Sequence, residues 1–340
     1  MIKNLVISGG GIKIISAFGV IKYLEENNLL KSINNFYGTS AGSILCLILI
    51  LGFNAEEIIK FIEDFDLNKI FIINSDNLFT TFNVCENTKL EKVIKLFLNF
   101  KLGRKCNAYP NLDEGRKCNA YPNLDEKKIS LSSDTESFEI NNNFENITMK
   151  ELYNKTNKYF SITSVCLDTH EAVYISHETF PDIPVWKAIL MSCSIPLIFK
   201  PIEWENKLYI DGGLVDNFPL FNIKLDEIKY TLGIQINLNY KRKNDSILIE
   251  ESNIYNYVIN LIQIIMESKT EIKPYNIISI KIDNLILDNS LSIDINKDIK
   301  IKLINIGYEE TKIQFPKLFN KKTSNIGTQT TNFRNRANSI

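Results

Sequence analysis

Hydrophobic residues along this chain recur with two different periods. Residues 4–8 form a mainly apolar run that ends at three glycines, and beyond them Ile14, Ala17, Phe18, Ile21 and Leu24 recur at helical spacing. That order predicts strand, tight glycine turn and helix. The pattern repeats at once: residues 33–37 read as a short strand, 38–42 as a turn, and an apolar helix runs from Ser43 to near Gly52. Two successive β-turn-α units imply parallel strands, so the fold class expected is α/β with a mostly parallel sheet.

Further along, residues 54–65 read as a helix with Asn54 as N-cap and Glu57 three positions on. Thr88 with Glu91 and Thr148 with Glu151 are capping boxes, the first opening a helix to about residue 100, the second a short helix before a strand at 160–167. Later strands are predicted at 172–175, 208–210, 231–238 and 277–282, and helices at 253–268 and 299–319. His170 falls in the turn after the 160–167 strand.

The segment GRKCNAYPNLDE occurs at 103–114 and again without a difference at 115–126. A perfect tandem copy this short and this punctuated by Gly and Pro is not a solenoid unit. It reads as a duplicated loop within an excursion spanning 101–147, since long surface insertions cost little stability. Residues 4–220 are expected to form the core that carries the chemistry, 221–319 to complete the same domain, and 320–340, polar and without apolar periodicity, to be disordered.

Composition narrows the function classes. The chain has 340 residues, 44% hydrophobic and 23% charged, with 39 basic against 40 acidic side chains. A net charge of −1 argues against a protein that works by neutralising nucleic-acid phosphates. The six cysteines form no CxxC pair and have no His at ligand spacing, so no metal site is expected. The start of the chain has no basic segment followed by a long apolar run, which predicts a cytoplasmic, reducing location with free thiols. The most apolar stretch, 44–53, is about half the roughly 20 residues a spanning helix needs.

Three glycine-flanked turns carry candidate chemistry. Gly38-Thr39-Ser40-Ala41-Gly42 is a GxSxG sequence between a predicted strand and an apolar helix, where a nucleophile elbow must lie, and the helix N-terminus behind Ser40 favours developing negative charge. Gly9, Gly10 and Gly11, at another strand-to-helix turn, offer amide N–H groups for an anion. The dinucleotide and phosphate-loop readings both fail there, because Ile14 stands where a glycine is required and no Ser or Thr follows Lys13. Asp211-Gly212-Gly213, directly after a predicted strand, is by itself a hairpin signal and together with the other two a candidate general base. Only two histidines exist, His170 and His177, and neither follows the acid. A Ser, acid, His order built on Asp211 therefore cannot be assembled. What remains is a dyad in which Asp211 takes the proton of Ser40.

With GGGIK at 9–13, GTSAG at 38–42, WKAILMSCSIPLIFKPI at 186–202 and YIDGGLVDNFP at 209–219, the chain resembles the patatin-like phospholipases over about residues 4–220. LSIDINKDIKIKLINIGYEE is similar to the family's closing helix. The resemblance implies a three-layer α/β/α fold and a Ser40–Asp211 dyad, with the motif glycines Gly38, Gly42, Gly212 and Gly213 around it. It also implies an oxyanion hole of backbone N–H groups at Gly9, Gly10 and Gly11, and hydrolysis of fatty-acyl esters in membrane phospholipid or neutral lipid without metal or cofactor. One position departs, Ile14, where the family usually has glycine. Peripheral membrane contact is expected, with the helix at 87–100 as candidate surface against a core-facing reading. The acyl chain is expected against Leu45, Leu47 or the 186–199 segment. The rival readings are a non-catalytic lipid- or partner-binding protein and an acyltransferase or transacylase.

Overall fold

In a computed structural model, the residues described are 1–66, 83–85, 87–103, 144–239, 261–262, 264–266, 276–283 and 295–318. The tandem repeat and the C-terminal tail lie outside them, as does most of the 253–268 helix, of which the described residues are helical.

The strands are β1 (Asn4–Ile7), β2 (Asn35–Thr39), β3 (Asn83–Cys85), β4 (Tyr159–Cys166), β5 (Glu171–Ile175), β6 (Leu197–Phe199), β7 (Ile202–Trp204), β8 (Lys207–Asp211), β9 (Thr231–Asn239) and β10 (Asn276–Asp283). Among the described residues they form a sheet ordered β10-β9-β1-β2-β4-β8-β7, with β5 also on β4, and a separate parallel pair of β3 and β6. β10, β9, β1, β2 and β4 are mutually parallel, whereas β5 and β8 run antiparallel to β4. The helices are α1 (Ile15–Glu26), α2 (Ala41–Ile50), α3 (Ala55–Asp64), α4 (Thr88–Leu102), α5 (Met149–Thr156), α6 (Val185–Cys193), α7 (Gly213–Asp216) and α8 (Lys297–Leu318).

Both predicted β-turn-α units are present, and the alternation of β1 distributes the core. Leu5 and Ile7 face the large apolar cluster shared with α1, α2 and α6, while Val6 faces a smaller one with Tyr37, Phe218, Leu220 and Ile223. Period-two alternation with both faces buried is what a central strand between layers requires. The architecture is the expected α/β class, a largely parallel sheet flanked on both faces.

α2 is apolar all round because it is buried all round, with Leu45, Cys46, Leu47, Ile48 and Ile50 in the core; a buried aliphatic side chain contributes roughly 1.5–3 kcal/mol. α1 and α8 cross closely at two glycines. A Cβ on Gly307 would collide with the backbone carbonyl of Ser16, and one on Gly19 with that of Ile304 and, at 2.5 Å, the amide of Tyr308. α8 thereby braces the helix that leaves the first glycine turn.

The caps at Asn54 and Thr148 form as expected, each accepting the N–H of a Glu that reaches back to the cap. The one at Thr88 does not. α4 starts at Thr88 itself, its N-cap is Asn87, and Asn87 Nδ2 donates to the carbonyl of Lys200 at 2.9 Å. Glu91 pairs instead with Lys95, one turn on, at 2.6 Å. α4 buries Leu90, Ile94, Phe97 and Leu98, the core-facing arrangement weighed against a membrane-contact surface, while Leu96 stays exposed. No described helix is long and apolar enough to cross a membrane.

Candidate active site

Registers along β4 bring the two candidate catalytic residues together. β2 pairs with β4 up to Thr39 opposite Thr163, and β8 takes over with Asp211 opposite Ser164. β5 pairs with residues 162–166 of β4, overlapping both partners. A strand has two edges, so β2 and β8 must share the edge opposite β5. Because β2 is parallel to β4 and β8 antiparallel, their C-terminal ends meet head-on. Ser40 follows one end and Asp211 closes the other.

Ser40 sits at φ 52° and ψ −130°, the N-cap of α2. This is a strained conformation for a residue with a Cβ, of order 1–3 kcal/mol, and it persists only where surroundings hold it. The glycines of the motif explain how. A Cβ on Gly38 would stand 2.7 Å from the Ser43 backbone, and one on Gly42 2.5 Å and 2.6 Å from the carbonyls of Ile7 and Ser8, so α2 can turn back tightly against β1 and β2 only with both side chains missing. The Ser43 N–H and hydroxyl both donate to the Ser40 carbonyl, at 2.8 Å and 2.6 Å. The Ser40 N–H donates to Ser192 Oγ at 2.8 Å, and that hydroxyl donates to the Thr163 carbonyl.

Asp211 is wholly buried. Its Oδ1 accepts the Gly213 N–H at 2.7 Å, and Oδ2 has no hydrogen-bond partner among the described residues. Burial pushes its pKa up from 3.8 to about 7, while the Ser40 hydroxyl and the Gly213 N–H pull it back by favouring the carboxylate. A buried, incompletely satisfied carboxyl beside a strained serine is the kind of perturbed pair found at functional sites. The Cys193 thiol, also buried, lies against Ser40, Ser43 and Asp211, and burial followed by the Asp211 charge pushes its pKa up.

The glycine loop closes on the same place. A Cβ on Gly9 would come within 3.3 Å of Ser40 Cβ and would clash with Asn217 Oδ1. The Gly9 N–H is not free, because it donates to the Asn217 carbonyl at 3.0 Å. This corrects the expectation that all three glycine amides face the reacting centre. Gly10 and Gly11, with no acceptor for their N–H groups among the described residues, remain; Gly11 has φ +51° and open space around it. Ile14 has φ −55° and ψ −23°, ordinary helical values. A β-branched residue fits there without backbone strain.

Asp-Gly at 211–212 does not close a hairpin, since Gly212 is helical and α7 begins at Gly213. The primed hairpin lies just before, at Glu205 and Asn206 between β7 and β8, with φ 49° and 59°. Asp216, at the end of α7, accepts the Tyr174 hydroxyl at 2.7 Å and, through its carbonyl, that of Thr39 at 3.1 Å. Neither histidine joins the site: His170 is an exposed turn residue, and His177 stacks on Tyr153, with ring centroids 3.7 Å apart, near the start of β4. Leu45 and Leu47 are packed in the core and line no open cleft. Sequence reasoning missed Ser192 and Asn217, whose contacts span distant segments; the only signal was that both lie inside quoted motifs. Among the described residues no group of three metal-binding side chains occurs.

The chain is 28% identical over 220 residues to "Probable lipid hydrolase 463L" of Invertebrate iridescent virus 6, an alignment covering 64% of this chain and 62% of that protein. It is 26% identical over 328 residues to an uncharacterized protein of Acanthamoeba polyphaga mimivirus, covering 92% and 90% of the two chains. Its fold is shared with VipD from Legionella pneumophila, with a TM-score of 0.61 at 17% identity over 93% of this chain and 67% of that one. Residues 5–222 match the model of the patatin-like phospholipases, and the chain belongs to that family.

Proposed function

We propose that this protein hydrolyses fatty-acyl esters of phospholipid or neutral lipid with Ser40 as nucleophile and Asp211 as its base. The observation that carries the reading is the head-on meeting of β2 and β8 along β4, which sets a strained serine beside a buried carboxyl whose pKa is pushed up to about 7. Family membership supports a lipid ester as the substrate class.

In the first half, Ser40 Oγ attacks the acyl carbonyl as its proton passes to Asp211 Oδ2, the oxygen without another partner. The tetrahedral oxyanion is held by the Gly10 and Gly11 N–H groups, with the N-terminus of α2 adding favourable potential. Collapse expels the alcohol, which takes the proton from Asp211 and leaves an acyl-Ser40 ester. In the second half Asp211 takes a proton from water, the hydroxide adds to the acyl carbon, and Ser40 leaves with that proton. A pKa near neutrality suits one group to act as base and acid in turn.

The test is fatty-acid release from phospholipid and triacylglycerol dispersions by wild type and Ser40→Ala. Release by wild type and none by the variant is expected; equal release would contradict the reading. Identification of the product separates free acid from acyl transfer to an alcohol.

A further inference from the structure

We infer that Ser192 is a positioning residue for the nucleophile: its hydroxyl holds the Ser40 amide and thereby fixes the elbow in its reactive conformation. The inference rests on the dyad reading above.

Ser192 is wholly buried near the C-terminal end of α6. Its Oγ accepts the Ser40 N–H at 2.8 Å and donates its own proton to the Thr163 carbonyl. Both functions of the hydroxyl are thus committed, and the direction of the relay is fixed, because an amide can only donate and a carbonyl only accept. Thr163 is the β4 residue opposite Thr39, immediately before the point where Asp211 takes over the edge. The bridge therefore references the Ser40 peptide to the same strand position that sets the place of the base.

The Ser40 N–H lies past the end of β2 and, in a residue only 4% exposed, is shut off from bulk solvent. A free donor there would drive the peptide to rotate, carrying Cβ and Oγ away from Asp211. The same segment fixes the other partner, since the Asp211 N–H donates to the Ser194 carbonyl at 2.9 Å. The end of α6 and the residue after it thus hold both members of the dyad by their backbones.

The experiment compares wild type, Ser192→Ala, Ser192→Cys and Ser192→Thr by the rate at which a fluorophosphonate probe labels Ser40. Ester-hydrolysis kinetics across pH and thermal unfolding accompany it. The Ala and Cys variants, lacking a good acceptor, are expected to label at least tenfold more slowly and to lose kcat in proportion. KM is expected to stay within twofold and the pH midpoint to move up, because the displaced Ser40 hydroxyl no longer favours the Asp211 carboxylate, and Thr, which keeps an Oγ, should recover both rate, to within threefold, and midpoint. Labelling of a cooperatively unfolding Ala or Cys variant within twofold of wild type would overturn the inference. So would a rate loss that travels with a raised KM, the mark of a generally collapsed site, or a Thr variant that folds yet is as slow as Cys. If Ala does not fold, the Cys and Thr pair decides by the same criteria. Failure of wild type to label overturns the dyad itself, and this inference with it.

Discussion

Thr39 and Asp211 stand opposite consecutive residues of one strand, Thr163 and Ser164 of β4, although they arrive from strands running in opposite directions. The arrangement needs no histidine. It puts a serine one residue past the end of β2 directly against the residue that ends β8, with Gly9 of the glycine loop held alongside by its hydrogen bond to the Asn217 carbonyl.

The strain at Ser40 can be measured. Glycine accepts positive φ freely, whereas alanine carries the same Cβ penalty as serine. Ser40→Gly is therefore expected to be more stable than Ser40→Ala by about 1 kcal/mol, both being inactive. Chemical denaturation of the two variants checks this, and an Ala variant as stable as Gly would mean the elbow is unstrained.

Asp211 should govern two pH profiles with opposite consequences. In the proposed mechanism its carboxylate is the base, so kcat/KM is expected to rise with pH through a midpoint near 7. Stability moves the other way. The unfolded chain ionises this group near 3.8 and the folded chain near 7, so the folded state binds the extra proton between those values. Stability present below pH 3.8 is then lost as pH rises to about 7 and is flat beyond. At 1.36 kcal/mol per unit the loss approaches about 4 kcal/mol. Asp211→Asn keeps an Oδ1 for the Gly213 N–H and is expected to be inactive yet more stable than wild type at pH 8, with little difference near pH 4. Thermal unfolding at the two pH values reads this directly.

Much of the site was legible in the sequence because its parts are local. Three glycine-flanked strand ends announce themselves by composition, and the scarcity of histidine removes the usual triad. What the sequence did not disclose depends on contacts across the chain. The Gly9 amide is lost to Asn217, and the Asn87 side chain goes to Lys200 in place of a cap at Thr88. The hairpin at Glu205-Asn206 has no glycine to mark it. Each is a tertiary partner overriding a sound local rule.

The close crossing of α1 and α8 makes a prediction about stability alone. Gly307→Ala forces a methyl into the Ser16 carbonyl, which neither backbone can readily yield to. It is expected to cost about 2 kcal/mol or more, while the activity of the molecules that remain folded is unchanged, since α8 contributes no group to the site. Unfolding midpoints together with specific activity per titrated Ser40 distinguish this from a catalytic defect.

The central claim is that Ser40 and Asp211 act as a pair on an acyl carbon, and mass spectrometry of the enzyme mixed with a short-chain fatty ester tests it most directly. The account predicts an acyl adduct on Ser40 that forms and decays with wild type, and no adduct with Ser40→Ala. With Asp211→Asn its formation should be slower by a factor on the order of a thousand, within the range general-base catalysis contributes. An adduct on another residue, or one forming at the wild-type rate in Asp211→Asn, would contradict it.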